Sequence, residues 1–227
     1  MGCMRKRIKL IDRRLPDYSK GEEIMNMVTH ITGGALGIAA LVLCVVRAAL
    51  RGGAVDVVGA VIYGVSLIGL YTMSSVYHGL RPGMGKKVLQ VLDHCTIYFL
   101  IAGSYTPVAL SAIRPLYPAL GLGLAIGEWA LTALAVTLTA IDLRKYRVFS
   151  MICYIGMGWC VVLAADPVLK TIPVPGLIWL LAGGIAYTVG AILYGLGRKH
   201  RYMHSVFHLF VLAGSILHFV CIFVYII

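Results

Sequence analysis

Long apolar runs broken by short polar stretches dominate this chain, and their length decides what they can be. A helix crossing the hydrocarbon core of a bilayer needs about 20 mostly apolar residues. Seven runs of that length stand between charged or Pro/Gly-rich breaks, over residues 28–50, 55–77, 93–113, 116–141, 148–166, 175–197 and 205–227. They predict an all-α membrane protein, a seven-transmembrane-helix bundle. Residues 1–24 then form a basic N-terminal tail, and 25–227 the transmembrane domain, with no stretch left for a separate soluble domain.

Composition agrees with the pattern. The chain is 60% hydrophobic and 13% charged, with a mean hydropathy of +0.89, whereas soluble domains carry about a quarter charged residues. No cleavable signal peptide is expected, because the basic head is not followed directly by an apolar region. The opening "MGCMRK" has the Gly2 of a myristoylation motif but Lys6 where Ser or Thr is needed. Cys3, Cys44, Cys95, Cys153, Cys160 and Cys221 are scattered without a CxxC pair, so they read as small packing residues and not as disulfides or a thiolate metal site.

Charge sets the expected orientation. Sixteen of the 20 Lys and Arg fall in the tail and in alternate loops, around Arg81, Lys86 and Lys87, then Arg144, Lys145 and Arg147, then Arg198, Lys199 and Arg201. Arg47, Arg51, Arg114 and Lys170 fall on the other side. Short cytoplasmic loops retain positive charge, so the N-terminus is expected in the cytoplasm and the C-terminus outside, in a multi-pass plasma membrane protein. The net charge of +11 is spread over a tail and three short loops. That distribution makes no groove with interleaved aromatics, which argues against nucleic acid and for membrane lipids with anionic headgroups as partners. The basic stretch "MRKRIKLIDRR" reads as a topology signal.

Small and helix-breaking residues predict details of packing. The pairs Gly33 with Gly37 and Gly123 with Gly127 have the spacing that lets membrane helices approach closely. Pro107, in "IAGSYTPVAL", should kink the third helix near Gly103, with the Ser104 and Thr106 hydroxyls bonding freed carbonyls. Glu128, in the middle of the fourth helix, should be protonated and hydrogen-bonded to a neighbouring helix.

Ionisable residues inside membrane segments are costly and face a cavity or a partner. Here they gather at one end. "YTMSSVYHGLRPG" closes the second helix with Ser74 and His78 at i and i+4, "VLDHCTIYFL" places Asp93 and His94 at the inner end of the third, and "HSVFHLFVLAGSILHF" opens the last with His204 and His208. Residues four apart on a helix have Cβ atoms about 5–6 Å apart, so both imidazoles of HxxxH can reach one ion. A third histidine from another helix, His78, completes a three-imidazole set, an open zinc site in which bound water titrates near pH ~7. Asp93 could orient or deprotonate that water. His94 or His30 is a substitute ligand, and His218, ~15 Å deeper along its helix than His208, is expected to make a packing or interhelical contact.

Together "SSVYH", "LDHCTIYFLIAGSYTP" and "HSVFHLFVLAGSILHF" resemble the motifs of the hemolysin III family, bacterial relatives of the progestin and adipoQ receptors, and the resemblance runs from about Glu22 to the C-terminus. Membership implies seven helices with the N-terminus inside. It also implies a zinc ion near the cytoplasmic face, held by the residues matching His78, His204 and His208, with Asp93 and Ser74 around its water. The wider superfamily includes alkaline ceramidases, which implies hydrolysis of lipid amides. Two function classes follow: a membrane-embedded zinc hydrolase of lipid amide or ester bonds, and a non-catalytic receptor-like or pore-forming protein with a structural zinc. A pore needs a polar lining along a whole helix, and here polarity sits mostly at one end.

Overall fold

The computed structural model describes residues 9–196 and 200–227, and within them the chain is all helical. Among the described residues, seven helical stretches are long and apolar enough to cross a membrane. The principal helices are α1 (Lys20–Arg51), α2 (Ala54–Gly79), α3 (Met84–Pro107), α4 (Pro118–Ile141), α5 (Arg147–Gly158), α6 (Ala165–Thr171), α7 (Val174–Leu196) and α8 (Met203–Cys221). The fifth span is divided between α5 and α6. Cys3, Gly2 and most of "MRKRIKLIDRR" lie outside the described residues.

Two helices begin well before their apolar runs do. α1 starts at Lys20 and not near residue 28, because Ser19 and Glu22 form a reciprocal capping box: the Ser19 hydroxyl accepts from the Glu22 amide, and the Glu22 carboxylate accepts from the Ser19 amide at 2.9 Å. The tail proposed for residues 1–24 therefore gives way to helix at Lys20. α3 starts at Met84 and not at 93, which puts Asp93 nine residues inside the helix, about 14 Å along its axis, instead of at its end.

The expected irregularity of the third span is present in a different form. Thr106 donates to the Ala102 carbonyl at 2.8 Å and Ser104 to that of Ile101 at 2.9 Å, and beyond Pro107 the chain continues as a π-helical turn over Val108–Ile113. The fifth span breaks more sharply. Between α5 and α6 lies a 3-10 turn, Cys160–Ala164, and the buried Tyr105 hydroxyl bridges the gap, donating to the Gly158 carbonyl and accepting from the Val161 amide, both at 2.9 Å. Backbone groups freed within a bilayer must find partners in the protein, and one phenol here serves two of them.

α1 packs on α2 and α8, α2 on α3, α3 on α4, and α7 on α8, whereas α5 touches α3, α4 and α7 more lightly. The main core lies among α1, α2, α3 and α8, around Tyr63, Leu67, Tyr71, Leu100 and Val211. Tyr71 donates to the Ser215 hydroxyl at 2.7 Å and Tyr187 meets the same oxygen at 2.8 Å, so one α8 serine anchors α2 and α7. The exposed faces carry large apolar side chains, such as Ile126, Val148 and Ile178, as a bilayer-facing surface requires.

The two glycine pairs behave differently. A Cβ on Gly33 would lie 2.4 Å from the Tyr71 ring and one on Gly37 would lie 3.3 Å from Leu67, so this pair does hold α1 against α2. Around Gly123 and Gly127 there is open space. Their spacing matches the packing motif, yet both are turned away from the neighbouring helices, and α4 instead makes its close approach through Gly121, against Ala109 and Arg114. Glu128 does reach a neighbouring span: its Oε1 accepts from the Cys160 thiol at 2.8 Å. Cys44, Cys95, Cys153, Cys160 and Cys221 are all free.

Candidate metal centre

The alternation of helices brings the start of α1, the end of α2, the start of α3 and the start of α8 to one end of the bundle, the end that also carries the basic loops. There His78, His204 and His208 each offer a ring nitrogen within 4.8 Å of the others. The His204 Nε2 is 3.3 Å from that of His78 and 3.1 Å from that of His208. Imidazoles bound to one tetrahedral zinc at 2.0–2.1 Å have their nitrogens about 3.3 Å apart, so the spacing fits such an ion.

Proton placement supports the fit. The His78 Nδ1 faces the Glu23 carboxylate at 2.6 Å, and the His208 Nδ1 faces the Asn26 backbone carbonyl at 3.3 Å. In a neutral ring the nitrogen facing such an acceptor carries the proton, and the Nε2 is then left free to bind a metal. The His204 Nε2 can donate at most one proton to them. The three rings could hold one cation between them, and the donor set suits zinc or another imidazole-binding metal. His78 and His208 are buried and His204 is partly buried.

Around the rings stands a supporting layer. Lys86, itself buried, bonds the second Glu23 oxygen at 2.6 Å and the Leu80 carbonyl at 3.0 Å. The Asn26 side-chain oxygen accepts from Ser205 at 2.5 Å, tying α1 to α8. Tyr18 stacks on His204 with ring centroids 5.2 Å apart, and burial pushes its phenol above the ordinary range, so it stays a neutral hydroxyl. Nearby, the α8 entry residue Tyr202 has φ 61° and gives its amide to the Glu22 Oε1 at 2.8 Å, fixing the turn before His204. A left-handed tyrosine costs on the order of 1 kcal/mol, and this charge-assisted bond offsets it.

Beneath the histidines a cavity of about 130 Å³ runs into the bundle. Its upper wall carries Ser74, Asp93, His204 and His208, and its far wall Tyr105, Trp159 and His218. Ser74 and Asp93 thus line the same chamber as His204 and His208, Asp93 from within α3. Neither proposed substitute joins the cluster. His94 turns its Nδ1 to the Gln90 carbonyl at 2.8 Å, and His30 stacks flat on His208 at 3.6 Å between centroids. His218 makes the expected interhelical bond, to the Leu180 carbonyl at 3.2 Å.

Glu23, Asn26 and Tyr18 are the residues that sequence reading missed. Glu23, Asn26 and His30 are spaced i, i+3 and i+7, a polar stripe on one face of a membrane helix. That stripe is a usable signal, hidden because the continuous apolar run begins only near residue 28.

Comparison with known proteins agrees with this picture. A family described as "Haemolysin-III related" matches residues 18–219. The chain is 38% identical over 213 residues to "Hemolysin-3" of Bacillus cereus, covering 94% of this chain and 95% of that one. It is 37% identical over 204 residues to "Hemolysin-3 homolog" of Bacillus subtilis (strain 168), covering 90% and 94%. The human "Monocyte to macrophage differentiation factor" is 28% identical over 172 residues, covering 72% and 68%. With seven apolar spans, the family's match over most of its length and two bacterial relatives aligned nearly end to end, this chain belongs to the haemolysin-III related family of multi-pass membrane proteins.

Proposed function

We propose that the protein is a zinc-dependent hydrolase of lipid amide or ester bonds, working at the cytoplasmic face of the plasma membrane. The observation that carries this reading is the junction of two chemistries. His204 and His208 of the converging trio line the head of a cavity together with Asp93 and Ser74, and the rest of its walls are mostly apolar. An acyl chain would occupy the apolar part and bring its carbonyl to the histidines.

Zinc held by His78, His204 and His208 would supply Lewis acidity to the carbonyl and acidify the attacking water. Asp93 would take a proton from that water as its oxygen bonds to the acyl carbon, then return it to the amine or alcohol as the C–N or C–O bond breaks. Ser74, one helical turn before His78, would position the water or Asp93 by hydrogen bonding. Glu23 would keep the His78 ring in the tautomer that leaves Nε2 free.

The same cluster joins α2 to α8, and this observation favours a second reading, a receptor-like protein in which the metal clamps helix ends. A pore is disfavoured by the apolar walls of the cavity. Asp93→Asn separates the two remaining readings, scored by zinc content and lipid-amide hydrolysis on one preparation. In the enzyme the variant keeps its zinc and loses ~10²- to 10⁴-fold in turnover. A zinc-loaded wild type that cleaves no lipid amide or ester, neutral or anionic, would sink the hydrolase and leave the clamp.

A further inference from the structure

A second, wider space of about 670 Å³ lies on the outer side of the histidines, beneath the segment that precedes α1. It shares His94, Met151, Tyr154, Tyr194 and His204 with the apolar cavity, so the two are neighbouring chambers that meet at the candidate metal centre. Arg13 and Arg14 reach this vestibule from the N-terminal segment, and Arg144 and Arg147 from the connection between α4 and α5.

Asp12, Asp17 and Glu22 also line the vestibule, yet among the described residues no ion pair joins these three to Arg13, Arg14, Arg144 or Arg147. Residues 1–8 and 197–199 contain no Asp or Glu that could serve instead. The Glu22 carboxylate is already committed to Ser19 and to the Tyr202 amide. Arg13 is the most telling, because its Nε and Nη1 are buried with no hydrogen-bond partner. Buried charged donors left unmet are costly, and a guanidinium fork is shaped to take a phosphate or carboxylate.

We propose that the vestibule binds the anionic headgroup, a phosphate or carboxylate, of an acylated amphiphile whose chain enters the apolar cavity. The substrate class is thereby an anionic acyl lipid and not a neutral one such as a ceramide. The position of its scissile bond, under the histidines, rests on the hydrolase reading. Headgroup recognition does not.

The test uses the full-length, zinc-loaded protein in neutral detergent and three probes: a lysophosphatidylglycerol, a monoacylglycerol of the same chain length, and inorganic phosphate. Lysophosphatidylglycerol should bind more tightly than the neutral monoacylglycerol, with an affinity that falls as salt rises. Arg13→Gln and Arg147→Gln should each weaken lysophosphatidylglycerol binding by about ten- to a hundredfold, with Arg13→Lys weakening it less. Monoacylglycerol binding should be unchanged in these variants, which also reports that they are folded, and Arg51→Gln at the opposite end of the bundle should bind both probes as the wild type does. Equal affinity for the two lipids, or wild-type lysophosphatidylglycerol binding in both glutamine variants, would overturn the proposal. So would inorganic phosphate binding as tightly as the lysolipid, since the vestibule would then be a free-anion site. A protein that shows this selectivity but cleaves nothing would remove the hydrolase reading while leaving the headgroup site in place.

Discussion

Glu23 offers the sharpest probe of the metal centre, because it touches no metal itself. Its carboxylate accepts from the His78 Nδ1 and from Lys86 Nζ, each at 2.6 Å. Glu23→Gln preserves shape but leaves one acceptor oxygen for two donors. If the amide oxygen stays with His78, a bond to an ionised group becomes a neutral one, and Lys86 keeps only its carbonyl contacts to His78 and Leu80. Charged hydrogen bonds contribute about 1.5–3 kcal/mol and neutral ones about 0.5–1.5, so the loss at His78 is about 1–2 kcal/mol. That corresponds to about a five- to thirtyfold weaker metal affinity, within the range found for carboxylates that support ligating histidines. Competition against a chelator of known affinity, with the protein in detergent, measures it. The control is the adjacent Glu22→Gln. Glu22 caps α1 and holds Tyr202, so its loss should lower thermal stability by ~1 kcal/mol and leave metal affinity largely intact. Wild-type affinity in Glu23→Gln, or an equal loss in both variants, would refute the assignment of Glu23 to His78.

Other expectations follow from the same geometry. Replacing His78, His204 or His208 by Ala should each remove most bound metal, whereas His218→Ala, whose contact is to the Leu180 carbonyl, should retain it; elemental analysis of the purified variants decides. Gly33→Ala drives a methyl to 2.4 Å from the Tyr71 ring and should destabilise the bundle by about 1–3 kcal/mol, while Gly127→Ala, with open space around it, should be neutral or slightly stabilising by the same unfolding measurement. A reporter fused after Ile227 should be active only outside the cytoplasm, given the sixteen-to-four division of Lys and Arg; cytoplasmic activity would invert the orientation and move the metal centre to the other face.

The seven spans were legible because bilayer thickness imposes one strong rule on the sequence, and the histidines were legible because imidazoles are conspicuous in apolar helices. The places where reading failed share a cause. Lys20, Glu22, Glu23 and Asn26 lowered the hydropathy at the start of α1, and Lys86, Lys87 and Gln90 did the same for α3, so both helices looked shorter than they are. Yet Glu22, Asn26, Lys86 and Gln90 are buried. Glu22 caps α1, Asn26 bonds Ser205 and Lys86 bonds Glu23, so these three serve the protein and do not face water. A hydropathy count reads each side chain alone and assigns such residues to a tail or loop; only the helical stripe through Glu23, Asn26 and His30, or the capping box at Ser19, carries the opposite information.

That same distinction bears on how the site is built. Membrane helices gain little from burying one apolar face against another, since lipid is an equally good partner, so close packing and polar contacts must set their register. At the basic end, α1 is joined to α2 through Glu23 and His78, to α3 through Glu23 and Lys86, and to α8 through Asn26 and Ser205. At mid-bundle, Tyr71, Tyr187 and Ser215 do this for α2, α7 and α8. The fifth span has weaker ties, its principal ones being the Tyr105 hydroxyl at its break, Tyr154 on the His94 carbonyl, Trp159 on Thr188 and the Cys160 thiol on Glu128. Met151, Tyr154 and Trp159 of this lightly packed span also wall the apolar cavity. The histidines thus sit on closely packed helices and the apolar cavity is walled in part by the most lightly packed span; in the proposed function the first would hold a ligand set in fixed geometry and the second would accommodate a lipid tail.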